Sequence, residues 1–164
     1  MTKKEDWRAI VASSLDWEQA HSSLDNVLKG FPGELRGKKP SGLPHSAWEI
    51  LEHIRITQRD LLDFLQNPDY KETLEWPGDY WPATSAPASE KAWNESVSAW
   101  RKDRMAIERF TTASDVDLTS KIPHGTGQTY LRTILVAMDH ASYHLAQIVT
   151  MRQLLGAWPP PKPK

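Results

Sequence analysis

The chain has 164 residues, of which 39% are hydrophobic and 25% charged, and its formal net charge is −1. This is the size and composition of one globular domain, and the balanced charge argues against a nucleic-acid protein, which needs a basic surface. The absence of cysteine excludes disulfides, cysteine-bound zinc, iron–sulfur clusters and a cysteine nucleophile, so a metal ion would need His, Asp or Glu ligands.

No part of the sequence is typical of a targeting or membrane segment. The N-terminus, MTKKEDWRAI, lacks the apolar run of a secretory signal. The longest apolar stretch covers only residues 134–138, whereas a helix that spans a bilayer needs about 20 such residues. The sequence therefore predicts a cytoplasmic protein with no membrane partner.

The first half of the chain contains two patterns that predict helices. Apolar residues recur at steps of three and four over about 6–29, and Gly30 follows as a stop. A second helix is predicted over about 46–66. It would begin with a capping box, in which Ser46 and Glu49 each bond a free backbone N–H of the other.

The second half contains two more helical patterns and no convincing alternating strand. They cover about 89–110 and 128–155, and the last ends before Gly156 and Pro159. Four long helices without a sheet predict an all-α fold, a four-helix bundle that forms one domain over 1–164.

Two long connections, 30–45 and 68–88, separate these helices, and loops of that size are often functional. The second connection contains Trp76, Tyr80 and Trp81. These aromatic residues would either plug the end of the core, which is slightly favoured, or form an apolar wall of a substrate pocket, for which Trp81 is the main candidate.

Three histidines form the candidate metal site. His140 and His144 lie four residues apart in DHASYHLAQIV, so both imidazoles project from one face of a helix. A histidine pair at this spacing is often only packed and hydrogen-bonded. A third imidazole, from His53 in the second helix, would complete an open site that suits Zn²⁺, Ni²⁺, Cu²⁺ or Fe²⁺. The remaining histidines have no assigned role.

Three polar residues could orient the candidate ligands, because metal-bound imidazoles usually donate their second N–H. Glu49 lies one turn before His53, although helix capping is its favoured role. Asp60 lies two turns after His53, and Gln147 lies three residues after His144. For these two, ordinary polar lining is the alternative.

Several stretches resemble the DinB family, a family of small bacterial metalloenzymes also described as DinB/YfiT-like. They are SAWEILEHI, DYWPA, Trp93 and the run HGTGQTYLRTILVAMDHASYHLAQIVTMRQLLGAWP, and the likeness extends over about 6–159. The resemblance implies an up-down-down-up bundle, often a homodimer. It also implies a divalent ion, often nickel or zinc, held by His53, His140 and His144.

The resemblance further implies chemistry on a small-molecule substrate. The expected function is that of a metal-dependent hydrolase or thiol S-transferase, in which the ion activates water or an external low-molecular-weight thiol. The alternative is a non-catalytic metal-binding or stress-response protein. Some thiol-dependent relatives use a carboxylate ligand, and three histidine ligands give no support to a thiol-dependent isomerase. No phosphate loop, Ser-His-Asp signature or paired carboxylates identify a substrate.

Overall fold

The structure, a computed structural model, describes residues 6–16, 18 and 20–160. Trp17, part of the predicted first periodicity, therefore lies outside the described residues. The described chain is all-helical, which confirms the predicted fold class, and it contains no strand beyond one isolated bridge. Its five α-helices are α1 (Trp7–Ser14), α2 (Leu24–Leu28), α3 (Ala47–Gln66), α4 (Glu90–Thr112) and α5 (Tyr130–Leu154).

Each of the three long helices begins at a hydroxyl side chain that bonds a free backbone N–H of its first turn. Ser46 caps α3, Ser89 caps α4 and Thr129 caps α5. The capping box predicted for Ser46 and Glu49 is confirmed. Because these local signals are strong, all three helices begin and end within two residues of their predicted bounds.

The prediction of one continuous helix over 6–29 is wrong, because the chain leaves the helix after α1 and begins another at α2. Ser23 caps α2 with its side chain. Asp16 accepts a hydrogen bond from the Leu24 backbone N–H at 3.3 Å and pairs with Arg104 of α4 at 3.1 Å. Short polar side chains thus satisfy backbone groups outside a helix and interrupt it.

Helices α3 and α4 lie side by side and run in the same direction. Ser96 of α4 donates a hydrogen bond to Glu52 of α3, and seven residues further along both helices Asp103 pairs with Arg59 at 3.5 Å. The residue numbers of the contacts therefore increase in the same direction on α3 and α4. The 20 residues of α3 rise about 30 Å. The connection over 67–89 must therefore return along the length of the bundle before α4 begins.

The other helices run in the opposite direction or complete the bundle. Leu65 shares a hydrophobic cluster with Ile134, whereas Ile50 shares another with Ile148, so α5 is antiparallel to α3. The Arg8 guanidinium donates to the Thr111 carbonyl near the end of α4, so α1 is antiparallel to α4. The order is up-down-down-up, with α1 and α2 together forming the first arm.

Two hydrophobic clusters fill the interior. One includes buried Trp93 and Trp100 and joins α2, α3, α4 and α5, and the other surrounds Ile107 and Ile134. The tryptophans are not all core residues, since Trp7 and Trp76 are exposed. None of the described helices is long and apolar enough to cross a bilayer.

Candidate metal centre

His53 projects from the middle of α3 and is only 2% exposed. Its Nδ1 lies 2.9 Å from the backbone carbonyl oxygen of Tyr80, in the connection that returns along the bundle. Because a carbonyl oxygen only accepts hydrogen bonds, Nδ1 carries the hydrogen and Nε2 keeps its lone pair. This is the tautomer in which Nε2 can bind a metal ion.

His140 and His144 lie one turn apart on α5 and face His53 across the α3–α5 contact. Their ring centroids lie 4.8 and 4.7 Å from that of His53 and 4.5 Å from each other. One nitrogen from each of the three imidazoles lies within 4.8 Å of the other two. The structure thus brings together the three residues of the predicted ligand set.

All three imidazoles are held in the neutral form that binds metal. Burial lowers the pKa of each below its usual value. The charges of His144 and His53 add to burial at His140, whose pKa falls to about 3. The hydrogen bonds to Tyr80 and Gln147 oppose the shift at His53 and His144 without reversing it.

The donor set fits a divalent ion. His140 Nε2 lies 3.0 Å from His53 Nε2, and two lone pairs at that distance repel unless a proton or a cation lies between them. Nitrogen ligands at a tetrahedral zinc ion lie about 3.3 Å apart, given bond lengths of about 2.0–2.1 Å. The His53 and His140 nitrogens thus already lie close to the separation that one ion requires, and His144 offers a nitrogen within 4.8 Å of both.

Two neighbours orient the imidazoles. Gln147 Oε1 accepts a hydrogen bond from His144 Nδ1 at 2.8 Å, which leaves His144 Nε2 free for an ion. The Trp81 indole stacks on the His53 ring, with centroids 4.0 Å apart and planes 4° from parallel. Gln147 thus sets the tautomer of His144, and Trp81 covers one face of His53.

A protein-family model described as the DinB superfamily matches residues 16–148, which include all three histidines. The chain belongs to the DinB superfamily. The match confirms the family that the sequence motifs indicated. No curated protein and no solved structure matches this DinB chain significantly.

Two of the predicted orienting residues do not contact the histidines of this DinB protein. Glu49 is engaged in the capping box and pairs with Lys39 at 2.9 Å. Asp60 instead accepts hydrogen bonds from the hydroxyls of Tyr80 at 2.8 Å and Tyr70 at 2.9 Å. Asp60 therefore acts at a distance, by holding the residue whose carbonyl orients His53.

Burial and the Asp60 hydrogen bond raise the pKa of both tyrosines above the usual value. Both hydroxyls therefore stay protonated at neutral pH and remain donors to Asp60. The connection that carries Tyr70 and Tyr80 is thus tied to α3 at two points by hydrogen bonds to one carboxylate.

The aromatic connection covers the flank of the DinB bundle at the histidine cluster. Trp81 lies over His53. Trp76 is 68% exposed, so the expectation that it plugs the end of the core is wrong. His45, to which the sequence assigned no role, stacks on the other face of Trp81 at 3.9 Å. His45 directly precedes Ser46, the residue that caps α3, so the start of this helix holds His45 close to the site. This position before the cap is the signal in the sequence that could have identified it.

A cavity of about 290 Å³ adjoins the histidine cluster. It lies between the first turns of α3, the second half of α5 and the segment before α3, and Gln147 and His45 are part of its wall. Gln147 therefore contacts both the cavity and a candidate ligand. The sequence did not predict this cavity, because its walls come from segments about 100 residues apart.

Proposed function

We propose that this DinB protein is a metal-dependent enzyme in which His53, His140 and His144 hold one Ni²⁺ or Zn²⁺ ion. The supporting observation is the convergence of three neutral imidazoles, with nitrogens within 4.8 Å of one another. A set of three histidines leaves at least one coordination position for water or substrate, as in catalytic zinc sites.

The proposed reaction class is hydrolysis or thiol S-transfer. When bound, the ion would supply Lewis acidity, which lowers the pKa of water or a thiol towards neutral pH. The chain contains no cysteine, so the thiol would be an external low-molecular-weight one. The Tyr80 carbonyl and the Gln147 amide hold the imidazoles of His53 and His144, and Trp81 shields one face of His53 from water.

A non-catalytic metal-binding or stress-response role is the second candidate. It is favoured by the absence, among the residues that the structure describes, of a carboxylate in contact with the histidine cluster. Asp60 reaches the cluster only through Tyr80. An exchangeable water on the ion, within a pocket, would favour catalysis, and a fourth protein ligand would favour the second candidate.

Metal content tests the proposed ligands. Protein purified without a nickel column should contain close to one ion per chain by elemental analysis, and His144→Ala should contain almost none. His21→Ala is the matched control, because His21 is exposed and its ring, among the residues that the structure describes, bonds only the backbone of its neighbour Ser22. Full metal retention in His144→Ala would contradict the ligand assignment.

An activity screen separates the two candidate functions. The metal-loaded protein should be assayed with small esters, with small amides, and with thiol and electrophile pairs. Turnover that disappears in His144→Ala and remains in His21→Ala supports the enzyme. Inactivity of a fully loaded, folded protein in every assay supports the non-catalytic role.

A further inference from the structure

The cavity beside the histidine cluster has a wall of mostly carbon atoms. Leu43, Ile50, Ala146 and Met151 contribute apolar side chains. Of the described residues, no Asp, Glu, Lys or Arg lines it. A charged ligand would lose its hydration there without gaining a partner, so the wall favours a neutral, largely apolar ligand.

Two polar side chains interrupt this apolar wall. Gln147 gives its Oε1 to the Nδ1–H of His144, and no described residue accepts a hydrogen bond from its amide nitrogen. His45 Nδ1 is buried and has no hydrogen-bond partner among the residues that the structure describes. Buried polar atoms are nearly always paired in folded proteins, so His45 Nδ1 indicates a missing partner. The amide nitrogen of Gln147, a half-buried residue of the same wall, adds a donor within the cavity.

The two polar groups have complementary requirements. The amide nitrogen of Gln147 can only donate, whereas an unprotonated His45 Nδ1 accepts. A carboxamide offers both partners, since its carbonyl oxygen accepts and its N–H donates. An ester offers the acceptor alone, and a carboxylate or an ammonium group adds a charge that the wall does not match.

We propose that this cavity binds a small, neutral carboxamide with an apolar chain. The chain would lie against Leu43, Ile50 and Met151, and the amide would bond Gln147 and His45. This inference goes beyond the proposed function. Gln147 bonds Nδ1 of His144, on the side of the ring away from the Nε2 that would bind the ion, and none of the three ligand histidines lines the cavity.

Binding to the metal-free protein tests the cavity independently of the ion. Hexanamide should give saturable amide shifts in ¹⁵N-labelled protein, confined to residues 43–51 and the second half of α5. Removing methylenes towards propanamide should weaken binding about threefold to fourfold per carbon. Methyl hexanoate should bind several-fold more weakly than hexanamide, and hexanoate and hexylamine at least tenfold more weakly.

Blocking variants locate the ligand. Ala146 is exposed at the rim, so Ala146→Trp should fill the opening without unfolding the protein and abolish hexanamide binding. Gln153→Trp, at an exposed α5 position outside the cavity wall, is the matched control and should bind as the wild type does. Thr150→Trp, at a second exposed rim position, replaces Ala146→Trp if that variant does not fold.

Each outcome decides the inference. Equal hexanamide binding by the wild type and a folded blocking variant would overturn it, as would equal or tighter binding of hexanoate. No saturable binding to folded wild-type protein would also overturn it. If that protein still loads one ion per chain, the proposed metal centre stands while the ligand class fails. If the folded wild-type protein binds hexanamide but no metal ion, the proposed metal centre fails while the inferred ligand class stands.

Discussion

The Tyr80 backbone carbonyl accepts a hydrogen bond from His53 Nδ1 at 2.9 Å. This bond ties the aromatic connection over 67–89, which crosses from the end of α3 to the start of α4, to the candidate metal centre. The same tyrosine donates its hydroxyl to Asp60, which lies two turns after His53 on α3. The connection between two parallel helices thus doubles as the support that sets the tautomer and orientation of one ligand.

Tyr80→Phe should weaken metal binding a few-fold, which is less than the about 10–100-fold typical of direct partners of a ligand. The variant keeps the carbonyl but loses the bond that positions it. Metal affinity is measured by competition with a chelator. Tyr70→Phe is the control, because its hydroxyl bonds the same Asp60 carboxylate but Tyr70 does not contact His53. Equal losses in both variants would contradict the support role of Tyr80.

Gln147→Leu should lower metal affinity about 10–100-fold, because Gln147 is the hydrogen-bond partner of His144 Nδ1. Gln147→Glu keeps an acceptor for that bond and should retain more of the affinity. Gln153→Leu, on the exposed surface of the same helix, serves as the control. Unchanged affinity in Gln147→Leu would show that the bond does not orient His144.

The metal-free protein should lose stability as the pH falls below about 6.5. The pKa of His140 is lowered to about 3 in the folded chain, so between pH 6.5 and 3 the unfolded chain binds more protons and the free energy of unfolding decreases. For His140 alone the loss between pH 7.5 and 5 is about 1–2 kcal/mol. Urea unfolding at both pH values measures it, and His140→Asn should reduce the difference.

Arg152→Met should destabilise the fold by about 2–4 kcal/mol. Arg152 is fully buried, and its guanidinium donates to the carbonyl oxygens of Val27 and Lys29 at the end of α2. Arg101→Met is the control, since Arg101 forms a half-exposed ion pair with Asp25 of α2 worth at most about 1 kcal/mol. Urea unfolding compares the two, and similar small losses would contradict the structural role of Arg152.

The sequence predicted the long helices and the candidate histidines because their signals are local. Ser46 and Glu49 mark the start of α3, and the four-residue spacing of His140 and His144 places both on one helix face. The first helix was predicted as continuous because the apolar period persists where Asp16 and Ser23 interrupt the backbone pattern. The spacing of apolar residues carries little information about where side-chain hydrogen bonds compete with those of the helix backbone.

The surroundings of the site could not be predicted because they depend on non-local contacts. The stack of His45, Trp81 and His53 joins three segments through the crossover connection. Asp60 lies on the expected side of α3, but the path of the connection decides that it bonds Tyr80 rather than a histidine. Helical spacing gives the direction of a side chain and not the partner that another segment brings to it.

The most direct test of the metal centre is a crystal structure with anomalous diffraction data collected at the absorption edge of the ion found by elemental analysis. It should show one ion bonded to a nitrogen of each of His53, His140 and His144, with at least one position open to water. An ion bound elsewhere, or a metal-free histidine cluster in protein that contains one ion per chain, would contradict the proposed centre.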